Sequence, residues 1–161
     1  MKMTLHLFKY ECSGCGRVYR APVILQSAYG EFLLRSGGRG TEAYLDAKQD
    51  PIYREVSDSV KHHPLAAQLR AIKQGELVQK VFGITCDPDT DGSDFQTWRK
   101  PKCPYCGVDK PSRWEATEPP ELIEMDLPPI THNQWVKRGA SERGALLEWA
   151  LRQELEPQGE Q

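Results

Sequence analysis

Two short turns, C-S-G-C-G at 12–16 and C-P-Y-C-G at 103–107, constrain this chain more than anything else in it. Each sets two thiols three residues apart and follows them with glycine. The backbone freedom of glycine lets the chain reverse tightly while both sulfurs face one point. It also aims amide N–H groups at the sulfurs, which disperses thiolate charge. Two such turns supply a closed set of four thiolates, which suits a structural metal site with no open coordination position. Cys12, Cys15, Cys103 and Cys106 are the expected ligands of one ion per chain. Zinc is the expected metal, and iron in the same four thiolates is the alternative. Cys86 has no partner at ligand spacing and reads as a buried apolar thiol.

The rest of the composition fits that reading. Five cysteines is an odd number, and four of them sit in close pairs, which is not the dispersed pattern of a disulfide framework. The N-terminal residues alternate apolar and polar, unlike a signal peptide, and no apolar run approaches the ~20 residues of a bilayer span. A cytoplasmic location with no membrane contact is expected. The formal net charge of −2 is unevenly spread. Residues 1–20 and 95–113, which hold the four cysteines, sum to +3 and +4 and leave −9 for the remainder.

Along the chain, 3–10 alternates with period two and reads as a strand entering the first turn; 17–24 reads as the strand leaving it. Residues 25–35 read as a short helix stopped by S-G-G-R-G at 36–40. Thr41 is a candidate N-cap for a helix to about Lys48. Asp50-Pro51 offers a cap and an N1 proline for a helix to about His62. Pro64 opens another, with Leu65, Leu69 and Ile72 at helical spacing and Gly75 at its end. Residues 77–86 look like a strand. Short extended pieces between Arg113 and Met125 are broken by Pro119-Pro120. Beyond Pro128-Pro129, Thr131 is a candidate cap for a short helix at 134–138. Ser141 is one for a helix to Leu155, with Leu147, Ala150, Leu151 and Leu155 on one stripe. The polar tail after Leu155 is expected to fray.

The stretch Y-E-C-S-G-C-G-R-V-Y at 10–19 resembles the first metal turn of the rubredoxins. D-G-S-D-F at 91–95, followed by C-P-Y-C-G-V-D-K at 103–110, resembles their second half. The resemblance covers 5–20 and 87–115 and implies a rubredoxin-like zinc-ribbon fold, with Tyr10, Tyr19 and Phe95 packed around the metal loops and Trp98 and Trp114 nearby. The chain departs from that family in its basic turns, its large insertion between them and its added C-terminal helices.

Other signals are weaker. D-P-D-T-D-G at 87–92 matches the opening of a calcium loop, but Trp98 stands where the bidentate acid is needed, so 87–94 reads as an aspartate-rich turn. Lys61-His62-His63-Pro64 lies between the cysteine pairs, an order similar to HNH nucleases. Gly107 and Val108 stand where such an enzyme needs a further ligand, so the histidines read as a solvated or capping pair. His132-Asn133 reads as a helix start. Glu118, Glu121, Glu124 and Asp126 read as a solvated acidic face. S-G-G-R-G-T lacks the Gly-Lys-Ser/Thr of a phosphate loop.

The expected fold is α+β: a discontinuous ribbon from 1–24 and 86–127, a mainly helical insertion at 25–85, and a C-terminal helical arm at 128–161. With no nucleophile–base pair or open metal site to name, the expected role is non-catalytic. The first expectation is a zinc-stabilised adaptor or accessory subunit presenting helical surfaces to a protein partner. A second is a nucleic-acid-binding ribbon using Lys9, Arg17, Arg20, Arg99, Lys100 and Lys102, with Tyr19, Trp98 and Tyr105 as stacking groups. A third is an iron electron carrier.

Overall fold

The computed structural model describes residues 2–25 and 30–156 and is of the α+β class. Its layout grows from one long strand, β1 (Lys2–Cys12). β1 pairs antiparallel with β2 (Val18–Val23) along one edge. Its other edge is shared by β7 (Leu122–Asp126), along its first half, and β6 (Pro111–Ala116), along its second. Side chains alternate across a strand, and β1 uses both faces. Met3 and Leu5 pack in a cluster with Leu33, Tyr44 and Leu127. Phe8, Tyr10 and Cys12, on the opposite face, pack with Tyr19, Ala21 and Cys103. Each end of the sheet therefore buries a different side, and one strand ties two small cores together.

A second, three-stranded sheet has the order β4-β3-β5, with β3 at Glu31–Ser36, β4 at Glu42–Asp46 and β5 at Phe95–Gln96. Helices α1 (Pro51–His62), α2 (Ala71–Val81) and α4 (Ala140–Leu155) pack beside it, with a 3-10 turn at Phe82–Thr85 and the short α3 at Asn133–Val136. Together they enclose the largest core, centred on fully buried Phe82, Leu34, Val56, Val60 and Leu151. Asp50 caps α1 through Oδ1, which accepts from the N–H groups of Ile52 (2.8 Å) and Tyr53 (3.1 Å). Leu147, Ala150 and Leu151 form the buried stripe of α4. Among the described residues no helix is long and apolar enough to cross a membrane.

Several expected helices are strands, and one expected strand is a helix. The described part of 25–35 contains β3, and 41–48 contains β4, so the glycine-rich 36–40 is a hairpin loop and not a helix stop. Leu33, Leu34 and Arg35 are all buried, as in a strand covered on both faces, and the short apolar run Phe32-Leu33-Leu34 suits helix and strand alike. Residues 64–70 make turns, and α2 begins at Ala71 and runs through Gly75, because Leu77, Val78 and Val81 at helical spacing bury against the core. That burial outweighs the β-propensity of L-V-Q-K-V-F. α4 starts at Ala140 with Gly139 as its N-cap, so Ser141 is not its cap. Residues 26–29 of the first expected helix, and the tail from 157, lie outside the described residues.

Phe82→Ala should destabilise the protein by about 3–5 kcal/mol, the usual cost of emptying a large buried aromatic site. Ile72, 77% exposed on α2, should change stability by no more than ~0.5 kcal/mol when replaced by alanine. Urea unfolding of the two variants beside wild type checks both values. Equal effects would mean that the core is not centred on Phe82.

Candidate metal centre

The β1–β2 hairpin presents the first cysteine turn, and the loop entering β6 presents the second. The two are built alike. The Cys12 N–H donates to the Arg17 carbonyl and the Gly16 N–H to the Cys12 carbonyl, both at 2.9 Å. In the second turn Cys103 N–H donates to Val108 (2.9 Å) and Gly107 N–H to Cys103 (2.8 Å). Closing each turn puts its glycine in the left-handed region, with φ of 75° at Gly16 and 81° at Gly107. A side chain there costs roughly 1–2 kcal/mol. The turns also hold each other, since Ser13 N–H donates to the Lys110 carbonyl at 3.2 Å.

Four sulfurs result, all within 4.8 Å of one another. Cys12 Sγ lies 3.4 Å from Cys106 Sγ, and Cys15 Sγ 3.7 Å from Cys103 Sγ. A tetrahedron of metal–sulfur bonds of ~2.3 Å has edges of roughly 3.8 Å, so the four residues fit one tetrahedral ion. Cys12 and Cys103 are buried; Cys15 and Cys106 are exposed. Among the described residues this is the one cluster of potential metal ligands.

The electrostatics are those of an anion cluster that calls for a cation. The backbone N–H of Cys15 does most to bring the Cys12 thiol down to about 7, helped by Cys106 and the Gly14 N–H, which lies 3.3 Å from the sulfur. Cys106 behaves oppositely. The Val108 N–H favours its thiolate, yet the sulfurs of Cys12, Cys103 and Cys15, together with burial, push it up to about 12. Like charges this close cannot all form alone. A bound metal ion, which deprotonates its thiols outright, removes the conflict. Cys86 stands apart: burial pushes its thiol up to about 12, which suits the inert, apolar role expected of it.

Tyr10 and Tyr19 stack beside the site with ring centroids 5.5 Å apart, and Trp114 lies on the far side of Tyr10 at 6.5 Å. The Tyr19 hydroxyl donates to the Pro101 carbonyl at 2.9 Å, fixing the segment that enters the second turn. Phe95 does not join them. It packs in the helical core, because β5 pairs with β3 of the second sheet.

Arg35, which sequence reasoning passed over, braces the site from below. Its buried guanidinium donates to the carbonyls of Pro22 (2.5 Å) and Arg99 (3.4 Å) and pairs with Glu42 at 3.3 Å. It therefore joins β2, the approach to the second turn and the β3–β4 hairpin. Its signal was a charged residue inside F-L-L-R-S, where a buried arginine demands acceptors from more than one segment.

The basic residues named as nucleic-acid contacts are dispersed among intramolecular partners. Lys9 pairs with Glu115 (3.7 Å), Arg20 with Glu121 (3.0 Å) and Arg99 with Asp94 (3.1 Å). Lys102 donates to the Gly38 carbonyl. Lys100 lies over the Trp114 ring at 4.1 Å, and burial lowers its pKa. Arg17 lies over Tyr105 at 4.8 Å and Arg99 over Trp98 at 5.1 Å. The aspartates of 87–94 are likewise engaged with protein donors: Asp87 by Thr131, Asp89 by Ser36, Asp91 by Ser93 and Asp94 by Gln96 and Arg99. His62 and His63 end α1, and the His63 ring accepts from the Leu65 N–H at 3.1 Å.

Compared with known proteins, the chain matches no family model, no curated protein and no solved structure. The four-cysteine cluster is zinc-ribbon-like in its geometry and is the firm ground for function.

Cys103→Ser replaces a soft thiolate with a weak oxygen donor and should unfold the cysteine turns. Structural zinc sites carry apparent binding energies of about 10–16 kcal/mol, as large as the ~5–15 kcal/mol stability of a whole domain. Cys86→Ser should cost only about 1–3 kcal/mol. Thermal melting of both variants, and of wild type with a chelator, gives the test. Unchanged melting of chelated wild type and of Cys103→Ser would mean that the cluster holds no structural metal.

Proposed function

We propose that this chain is a non-catalytic, zinc-stabilised adaptor or accessory subunit. The observation that carries the reading is the closed donor set. Four sulfurs at tetrahedral spacing leave no ligand position for substrate or water, and a site of that kind supplies cohesion. The ion fixes a small scaffold, and the helices beyond it present surface to a protein partner. Trp149 on α4, 58% exposed, and Ile72 on α2 give those helices apolar side chains facing solvent, and tryptophan is a residue type enriched at protein interfaces.

Zinc is preferred to iron in this reading because the chain departs from the rubredoxin pattern in its basic cysteine turns, its large insertion and its added C-terminal helices. One zinc per chain and a colourless protein are expected from the native host. A red protein near one iron per chain, with thiolate-to-iron absorption that bleaches on reduction, would replace the adaptor with an electron carrier. The nucleic-acid reading draws on Arg17 over Tyr105 at the metal turns, but three of its six cations already face carboxylates. Little or no mobility shift of RNA or DNA is therefore expected even at low salt, where counterion release would favour binding most. A strong, salt-sensitive shift weakened by Arg17→Glu would reverse that preference.

A further inference from the structure

Away from the metal centre, the helical core contains a histidine whose two ring nitrogens both face acceptors. His132 ends the 128–132 joint that leads into α3. Its Nε2 lies 2.7 Å from Asp50 Oδ2, and its Nδ1 lies 2.9 Å from the Thr85 carbonyl oxygen. A carbonyl can only accept, and the Asp50 carboxylate already accepts from the backbone of α1 through its other oxygen. A neutral imidazole has one N–H, so it would leave a ring lone pair facing one of the two oxygens. Only the imidazolium satisfies both contacts.

The surroundings agree. The His132 ring meets Phe82 edge-on, with centroids 5.4 Å apart, and its pair with Asp50 is almost buried on both sides. The charged groups facing it are carboxylates: Asp50 before α1, and Asp87 after the 3-10 turn. Asp87 accepts from the Asn133 and Gln134 N–H groups at 2.8 Å each, so it, and not Thr131, caps α3. The partly buried Cys86 thiol beside both carboxylates stays neutral. α4 adds a separate pair, Arg143 to Glu55 of α1 at 2.7 Å. Burial opposes charge on the ring, but the bonds to Asp50 and Thr85 outweigh it and raise the pKa of His132, while Asp50 is lowered.

We propose that His132 is a protonated pin, a doubly donating imidazolium that fastens the C-terminal arm to the N-terminus of α1 and to the 3-10 turn, and that its deprotonation loosens α3 and the joint before it. The direction follows from linkage. A histidine whose folded pKa is raised contributes full stabilisation below the unfolded value of about 6.5, and that contribution is lost as pH rises through the folded value. The loss is local. Leu147, Ala150 and Leu151 keep α4 buried, and the joint retains the pairing of Tyr44 N–H with the Pro128 carbonyl and of Ile130 N–H with the Tyr44 carbonyl, both 2.9 Å.

Nitrogen-15 NMR of the His132 ring in the full-length, metal-loaded protein tests this. At pH 7 both ring nitrogens should carry protons, and the midpoint should lie above that of a free histidine. Asp50→Asn keeps an N-cap residue but removes the charge, so proton affinity at His132 should fall at least tenfold. Amide exchange in α3, corrected for its intrinsic pH dependence, should speed up as wild type passes through the His132 midpoint, with α1 unchanged. A single ring proton at pH 7, a midpoint at or below the free value, or an Asp50→Asn midpoint equal to wild type would overturn the proposal.

Discussion

The four-sulfur junction is the constraint on which the rest of the molecule depends, because it joins parts of the chain that sequence keeps far apart. Eighty-seven residues lie between Cys15 and Cys103, and closing a loop of that length costs roughly 4 kcal/mol from its logarithmic term alone. The cluster around the sulfurs is small: its buried members are Tyr10, Cys12, Tyr19, Ala21 and Cys103. Two of those five are themselves cysteines of the four-sulfur cluster. A core with so little apolar surface cannot hold two ordered turns against their conformational entropy. An ion held by the four sulfurs would do so, drawing on β1 and β2 on one side and the approach to β6 on the other.

The second half of the solution is that β1 works on both faces. Its even positions near the turn belong to the cluster around the cysteines, and its odd positions near the N-terminus belong to the cluster with Leu33 and Leu127. A slip of one residue would exchange both sets at once. Register is therefore fixed from two directions, by the cysteine at the end of the strand and by Leu5 near its start. Arg35 adds a polar tie between the two sheets at the level of Pro22 and Arg99. The long insertion is thus fastened to the cysteine-bearing sheet by a buried guanidinium as well as by the chain itself.

What the sequence made legible follows from how local each signal is. The cysteine turns carry their geometry within five residues, so the four clustered cysteines and both left-handed glycines could be read directly. Asp50-Pro51 is equally local, and α1 starts where it says. The misread elements are those decided by distant partners. F-L-L-R-S became a strand because Glu42–Asp46 and Phe95–Gln96 pair on its two sides. L-V-Q-K-V-F became helix because Leu77, Val78 and Val81 found a buried face. The α3 cap was invisible for the same reason: Asp87 reaches it from 46 residues away in sequence. The rubredoxin resemblance led correctly for Tyr10 and Tyr19 and incorrectly for Phe95, which β5 carries into the other core.

Charge illustrates how far composition can be trusted. The segments bearing the cysteines are basic and the remainder acidic, an asymmetry that first suggests an external polyanion. The fold answers much of it internally. Glu115 and Glu121 come from the strands and turn that flank β1, and meet Lys9 and Arg20 across the sheet. Asp94 precedes β5 and meets Arg99. Exposed pairs of this kind stabilise by only ~0–1 kcal/mol each, so they are poor evidence for stability. Their effect on recognition is larger, since a cation beside a carboxylate presents little net field to a phosphate. Antiparallel pairing sets acidic β7, and Glu115 of a net-neutral β6, against a basic β1, so charges far apart along the sequence become neighbours in space. A polyanion approaching the cysteine-bearing sheet would meet both signs together, so the basic blocks of the sequence do not by themselves make a basic surface.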